Sequence, residues 1–92
     1  MYQLYYTNRM KRDVKLMKKR GKNIQKLIDI LDKLIMGEPL PVKNHDHQLT
    51  GNLKDFRECH IEPDWLLMYQ ISDSELILTA TATGSHADLL GM

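Results

Sequence analysis

The chain has 92 residues, 42% of them apolar and 27% charged, a length and composition that suit one globular domain, residues 1–92, and exclude a disordered or fibrous chain. A lone cysteine, Cys59, excludes an internal disulfide, and the longest apolar runs, such as Trp65 to Tyr69, are too short to cross a bilayer. Net charge is +1, yet residues 1–26 hold nine bases against one acid while the rest holds four against eleven, so a cytoplasmic protein with a polyanion-seeking segment is expected and a membrane partner is not.

Met1 to Thr7 carries three tyrosines and Leu4, a composition that favours a strand, and Asn8 or Thr7 then offers a helix N-cap. Met10, Val14 and Met17 recur at helical spacing and Gly21 is placed to end that helix. Its remaining faces carry Lys11, Lys15, Lys18 and Lys19, which suit either phosphate contact or ordinary solvation. Ile24, Leu27, Ile28, Leu31, Leu34 and Ile35 follow the pattern of one buried helical stripe. Gly37, Pro39 and Pro41 stop it, because proline lacks an amide donor and restricts its predecessor.

Asn44 to Asn52 reads as a polar loop carrying His45 and His47. Three β-like runs follow, Phe56 to Ile61, Trp65 to Ile71 and Glu75 to Thr83, separated by turn-forming Glu62-Pro63-Asp64 and Ser72-Asp73-Ser74. Ser85 and Asp88 stand at capping-box spacing for a short terminal helical turn. The order β-α-α-β-β-β predicts an α+β domain: an N-terminal strand and a two-helix hairpin packed on a mostly antiparallel four-stranded sheet, whose other face stays open.

Chemistry points first to the four histidines, all in the second half. The tight turn between His60 and Asp64 predicts a His/Asp pair, and an imidazole titrating near about 6.5 can take or give a proton at neutral pH. Cleavage of RNA by its own 2′-hydroxyl needs such groups and no metal, provided cations stabilise the phosphoryl oxygens. On residue type alone, Asp64 after Pro63 is an ordinary turn residue and Trp65 a core or edge aromatic, while Arg57 could bind phosphate or pair with Asp55, Glu58 or Glu62. His45-x-His47, Cys59-His60 and His86 are conceivable zinc donors, but neighbours on a strand face opposite ways, so Cys59 and His60 do not share an ion.

Three stretches carry a resemblance: His45-Asp46-His47-Gln48-Leu49-Thr50-Gly51, then Phe56-Arg57-Glu58-Cys59-His60-Ile61-Glu62-Pro63-Asp64-Trp65-Leu66-Leu67-Met68-Tyr69, then Thr83-Gly84-Ser85-His86. They look like the YafQ branch of the RelE/ParE toxin superfamily, with its H-x-L-x-G loop, R-x-x-H-x-x-P-D-W-x-L-x-Y hairpin and terminal G-[ST]-H element. The helical half resembles that family in layout and basic character. The resemblance implies a ribosome-dependent endoribonuclease acting on messenger RNA in the ribosomal A site, without cofactor or metal, and the toxin of a type II toxin–antitoxin pair. Its implied partners are a cognate antitoxin, the ribosome with its RNA, and messenger RNA, with operator DNA contacted only through the toxin–antitoxin complex. It implies acid–base work or substrate positioning for His47, His60, Asp64 and His86, and places Trp65 near the site; Arg57, Lys11, Lys15, Lys18 and Lys19 join it as candidate substrate-binding residues. Where the family usually carries an arginine suited to the transition state, this sequence has Ala82, and Leu90 stands where the family tends to have an aromatic. Ala82 implies a weakened nuclease, or one in which another cation such as Arg57 compensates, or the alternative of a non-catalytic binder of a protein target, as in the ParE branch.

Overall fold

The computed structural model describes residues 1–91; Met92, the last residue of the expected domain, lies outside them. The elements are β1 (Gln3–Tyr6), α1 (Asn8–Lys19), α2 (Ile24–Ile35), a 3-10 turn at Val42–Asn44, β2 (His47–Gln48), a second 3-10 turn at Gly51–Leu53, β3 (Arg57–Glu62), β4 (Trp65–Ser72), β5 (Ile77–Gly84) and α3 (His86–Leu90).

Thr7 caps α1, its side chain accepting from the Met10 amide at 3.0 Å. Gly21 takes φ +81 just past the helix, and the Lys22 amide returns to the Met17 carbonyl at 3.0 Å, closing the helix end as glycine permits. Asn23 caps α2 through the Gln25 amide at 3.0 Å. The buried stripe of α2 is Leu27, Ile30, Leu31 and Leu34, whereas Ile28 is 40% exposed. The stripe therefore differs from the expected one by an exchange: at about 100° per residue, Ile28 sits about 100° from the stripe centre and Ile30 only about 60°.

The sheet has five strands, not four, in the order β1-β5-β4-β3-β2. β1 runs parallel to β5, and every other pairing is antiparallel. The expected polar loop supplies the fifth strand, because His47 and Gln48 pair with Glu58 and Arg57. Both helices cover one face, where Met10, Met17, Leu27, Leu31 and Leu34 meet Cys59, Trp65, Leu67, Tyr69, Leu78 and Ala80 in one core. Alternation then sends Glu58, His60, Leu66 and Met68 to the other face.

A register shift on β5 matters for the site. Met68 pairs with Ala82 but Tyr69 pairs with Ala80, so Thr81 is an extra residue. The bulge lets Thr83 face the core while Ala82 joins Met68 on the opposite side. Cross-strand partners share a face, so His47, Glu58, Met68 and Ala82 form one row, and His60, Leu66 and Gly84 the next.

Candidate active site

His60 stands on β3 in the second of these rows. Its ring centroid lies 5.2 Å from that of His45 and 5.4 Å from that of His86. Burial, and then the imidazole of His45, lower its pKa from the ordinary value. The ring is therefore disposed to be neutral and to accept a proton near pH 7.

His86 opens α3, where Ser85 and Asp88 form the expected capping box. The hairpin turn brings Asp64 to His86 rather than to His60, which corrects the pairing expected from sequence. Asp64 Oδ1 accepts from the His86 amide at 2.9 Å and from ring Nδ1 at 2.6 Å. These bonds, the backbone one first, hold the Asp64 carboxyl below its usual range. A carboxylate only accepts, so His86 Nδ1 carries its proton and Nε2 is left for substrate. Arg20 anchors the same helix on Asp88 at 2.5 Å, which depresses the Asp88 carboxyl strongly.

His47 lies one row away from this group. Its Nδ1 donates to the His45 carbonyl at 2.7 Å, and its Nε2 faces Glu58 Oε1 at 3.8 Å. Glu58 is only 3% exposed, and among the described residues its Oε2 has no hydrogen-bond partner. It shares the row that ends at Ala82, itself fully buried. Position 82 thus looks across Met68 toward a buried, half-partnered carboxylate.

The six substrate-binding candidates lie elsewhere. Trp65 is fully buried and its indole donates to Thr83 Oγ1 at 2.9 Å, so it is a core residue and offers no face to a base. Arg57 points to the helical side, paired with Asp46 at 3.2 Å and with the Tyr69 hydroxyl at 3.4 Å; three positions from His60 on a strand, it faces the other way. Lys11, Lys15, Lys18 and Lys19 are exposed on α1, in the helical layer rather than among the imidazoles. Burial pushes the Cys59 thiol up to about 12, which removes it as a nucleophile.

The sequence marks His45 only as one of four histidines and a conceivable metal donor, with no place in the acid–base group, and Glu58 only as a partner for Arg57. Glu58 was open to discovery, since a residue two before His60 on a strand shares its face. His45 had no such signal, because its place depends on a turn reached through tertiary contacts.

The same fold occurs among small bacterial toxins. The E. coli DinJ-YafQ complex contains a chain that superposes with a TM-score of 0.90 at 38% identity, covering 99% of this chain and 100% of that one. A metal-bound toxin from Helicobacter pylori gives 0.91 at 39%, covering 97% and 99%. Among the described residues here, no group of three or more His, Cys, Asp or Glu side chains is arranged to hold a metal ion. In sequence the chain is 41% identical over 87 residues to the mRNA interferase toxin YafQ of Escherichia coli strain K12, covering 94% of this chain and 92% of that protein. Residues 2–91 match the profile of the family described as bacterial toxin of type II toxin-antitoxin system, YafQ, and the chain belongs to that family.

Proposed function

We propose that this chain is a ribosome-dependent endoribonuclease that cuts messenger RNA in the ribosomal A site and is held inactive by a cognate antitoxin in the cytoplasm. The observation that carries the reading is the His60–His86 pair, 5.4 Å apart, with Asp64 fixing His86. His60, whose pKa is lowered by burial and by His45, takes the proton of the RNA 2′-hydroxyl. The 2′-oxygen attacks the adjacent phosphorus, and the bond to the 5′-oxygen breaks. His86, doubly protonated, gives its Nε2 proton to that leaving oxygen and keeps Nδ1–H on Asp64. The products are a 2′,3′-cyclic phosphate and a 5′-hydroxyl, and no water enters the bond-breaking step. Lys11, Lys15, Lys18 and Lys19 contact ribosomal RNA through a sequence-independent charge term. Supporting this, the E. coli relative bears the name mRNA interferase and is solved in complex with DinJ.

Ala82 favours a second reading, a toxin that acts by binding a protein target. The two separate when this chain and its Ala82→Arg version are induced in cells without antitoxin and 5′ ends are mapped on a reporter transcript. Cuts that need translation are expected, and His86→Ala in the arginine version should abolish them while leaving antitoxin affinity unchanged. No translation-dependent cuts from either chain would overturn the nuclease reading.

A further inference from the structure

Most cations near the imidazoles are already engaged. Lys22 and Lys26 both bind Glu62 at 2.9 Å, and Arg20 binds Asp88. Lys43 and His45 differ: among the described residues neither has an acidic partner, and both line a cavity of about 490 Å³ beside His60, with Asn44, Ile61 and Pro63 among its walls.

The turn that carries them is firmly seated. Asn44 is 5% exposed and its amide donates to the His60 carbonyl at 2.7 Å, pinning the 3-10 turn to the end of β3. His45 follows in the left-handed region, φ 46 and ψ 44, where a residue with a Cβ stays only if its surroundings hold it. Its amide donates to the Val42 carbonyl at 3.0 Å, and its own carbonyl accepts from His47 Nδ1. One residue therefore sets the orientation of His47 through its backbone and lies against His60 through its ring. Glu62, the acid lining the cavity, is neutralised by two lysines and does not repel an anion. Ile61 and Pro63 add apolar wall against which a base can lie.

We propose that Lys43 and His45 form a phosphate-binding arm that holds, in the cavity beside His60, the RNA backbone phosphate next to the scissile one, supplying cationic contact where Ala82 supplies none. The proposal rests on the nuclease reading for its biological role, and names the substrate contacts of that same site. Lys43 acts as a point charge on a flexible stem, and His45 offers a ring N–H at the cavity rim.

The test is an NMR titration of the full chain with a 2′-O-methyl RNA trinucleotide, which binds but cannot be cut. His45 and His60 ring signals should shift together. Lys43→Gln should weaken binding about threefold to fivefold and reduce the slope of log affinity against log salt by about 0.7, one phosphate contact on a single strand. His45→Gly, which keeps the left-handed turn and the carbonyl to His47 while deleting the ring, should weaken binding similarly. Lys54→Gln, on an exposed lysine away from the cavity, should change nothing. Unaltered affinity in both Lys43→Gln and His45→Gly, or shifts confined to α1, would overturn the arm. Because the probe is uncuttable, a failure of translation-dependent cutting removes the nuclease reading without deciding this outcome.

Discussion

Replacing Ala82 with arginine should place a cation beside the imidazoles and give Glu58 a partner in a single change. Position 82 and Glu58 are separated by β4, so their Cα atoms stand about 10 Å apart, two strand spacings. An extended arginine and a glutamate on the same face span that gap across Met68. The unpartnered Glu58 Oε2 carries a desolvation cost of about 1–3 kcal/mol, which a guanidinium would relieve. Against this, inserting a large side chain where Ala82 is fully buried costs about 1–3 kcal/mol in overpacking. The two nearly cancel, so urea unfolding should place the variant within about 1 kcal/mol of the parent. The rate should not stay level, because a cation aimed at charge developing on the phosphoryl oxygens is worth about a hundredfold to a thousandfold. Single-turnover cleavage of messenger RNA on programmed ribosomes reads this directly. Adding Glu58→Gln closes a double-mutant cycle, and a coupling of at least about 0.5 kcal/mol in stability is expected. A folded arginine variant that cuts no faster than the parent, with no coupling to Glu58, would refute the reasoning.

Four further outcomes follow from the same geometry. The His60 pKa lies below its ordinary value, so the unfolded chain binds more protons in that window, and stability should be complete above about pH 6.5 and decline as pH falls through the folded pKa; His60→Gln should flatten this acid-side loss in urea melts at pH 7.5 and 5.5. Cleavage should lose rate over that acidic range too, as the base becomes protonated, and a rate independent of pH from 5 to 7 would count against His60 as base. Asp64→Asn, which keeps an acceptor oxygen for the His86 amide and ring but removes the carboxylate charge that holds the imidazolium, should slow single-turnover cutting about tenfold to a hundredfold, less than at a buried triad because Asp64 is exposed; an unchanged rate would free His86 from any need for that charge. Trp65→Phe should cost about 1–2 kcal/mol of stability through the lost bond to Thr83, yet leave cutting by the folded variant within about twofold; selective loss of cutting would return Trp65 to the substrate-binding group.

Much of this molecule was legible in one dimension. Apolar periodicity marked α2, turn chemistry at Pro63 and Ser72-Asp73-Ser74 marked the meander, and the Ser85/Asp88 spacing marked the cap of α3, because each signal acts between residues a few positions apart. The motif around His60, Asp64 and His86 likewise named three residues that the fold gathers in one place. Partnership across the chain was not legible. Asp64 went to His86, 22 residues away, rather than to His60 nearby; Trp65 went into the core and Arg57 to Asp46 on the helical side; and His45 reached His60 through a turn pinned by Asn44. Position 82 shows the reason most directly. Strict alternation from Ala80 would have buried it under the helices, but one extra residue at Thr81 sent it to the face of Glu58 and His60. A side chain's face depends on register, a slip of one residue reverses it, and register is decided by pairing and packing among strands distant in sequence.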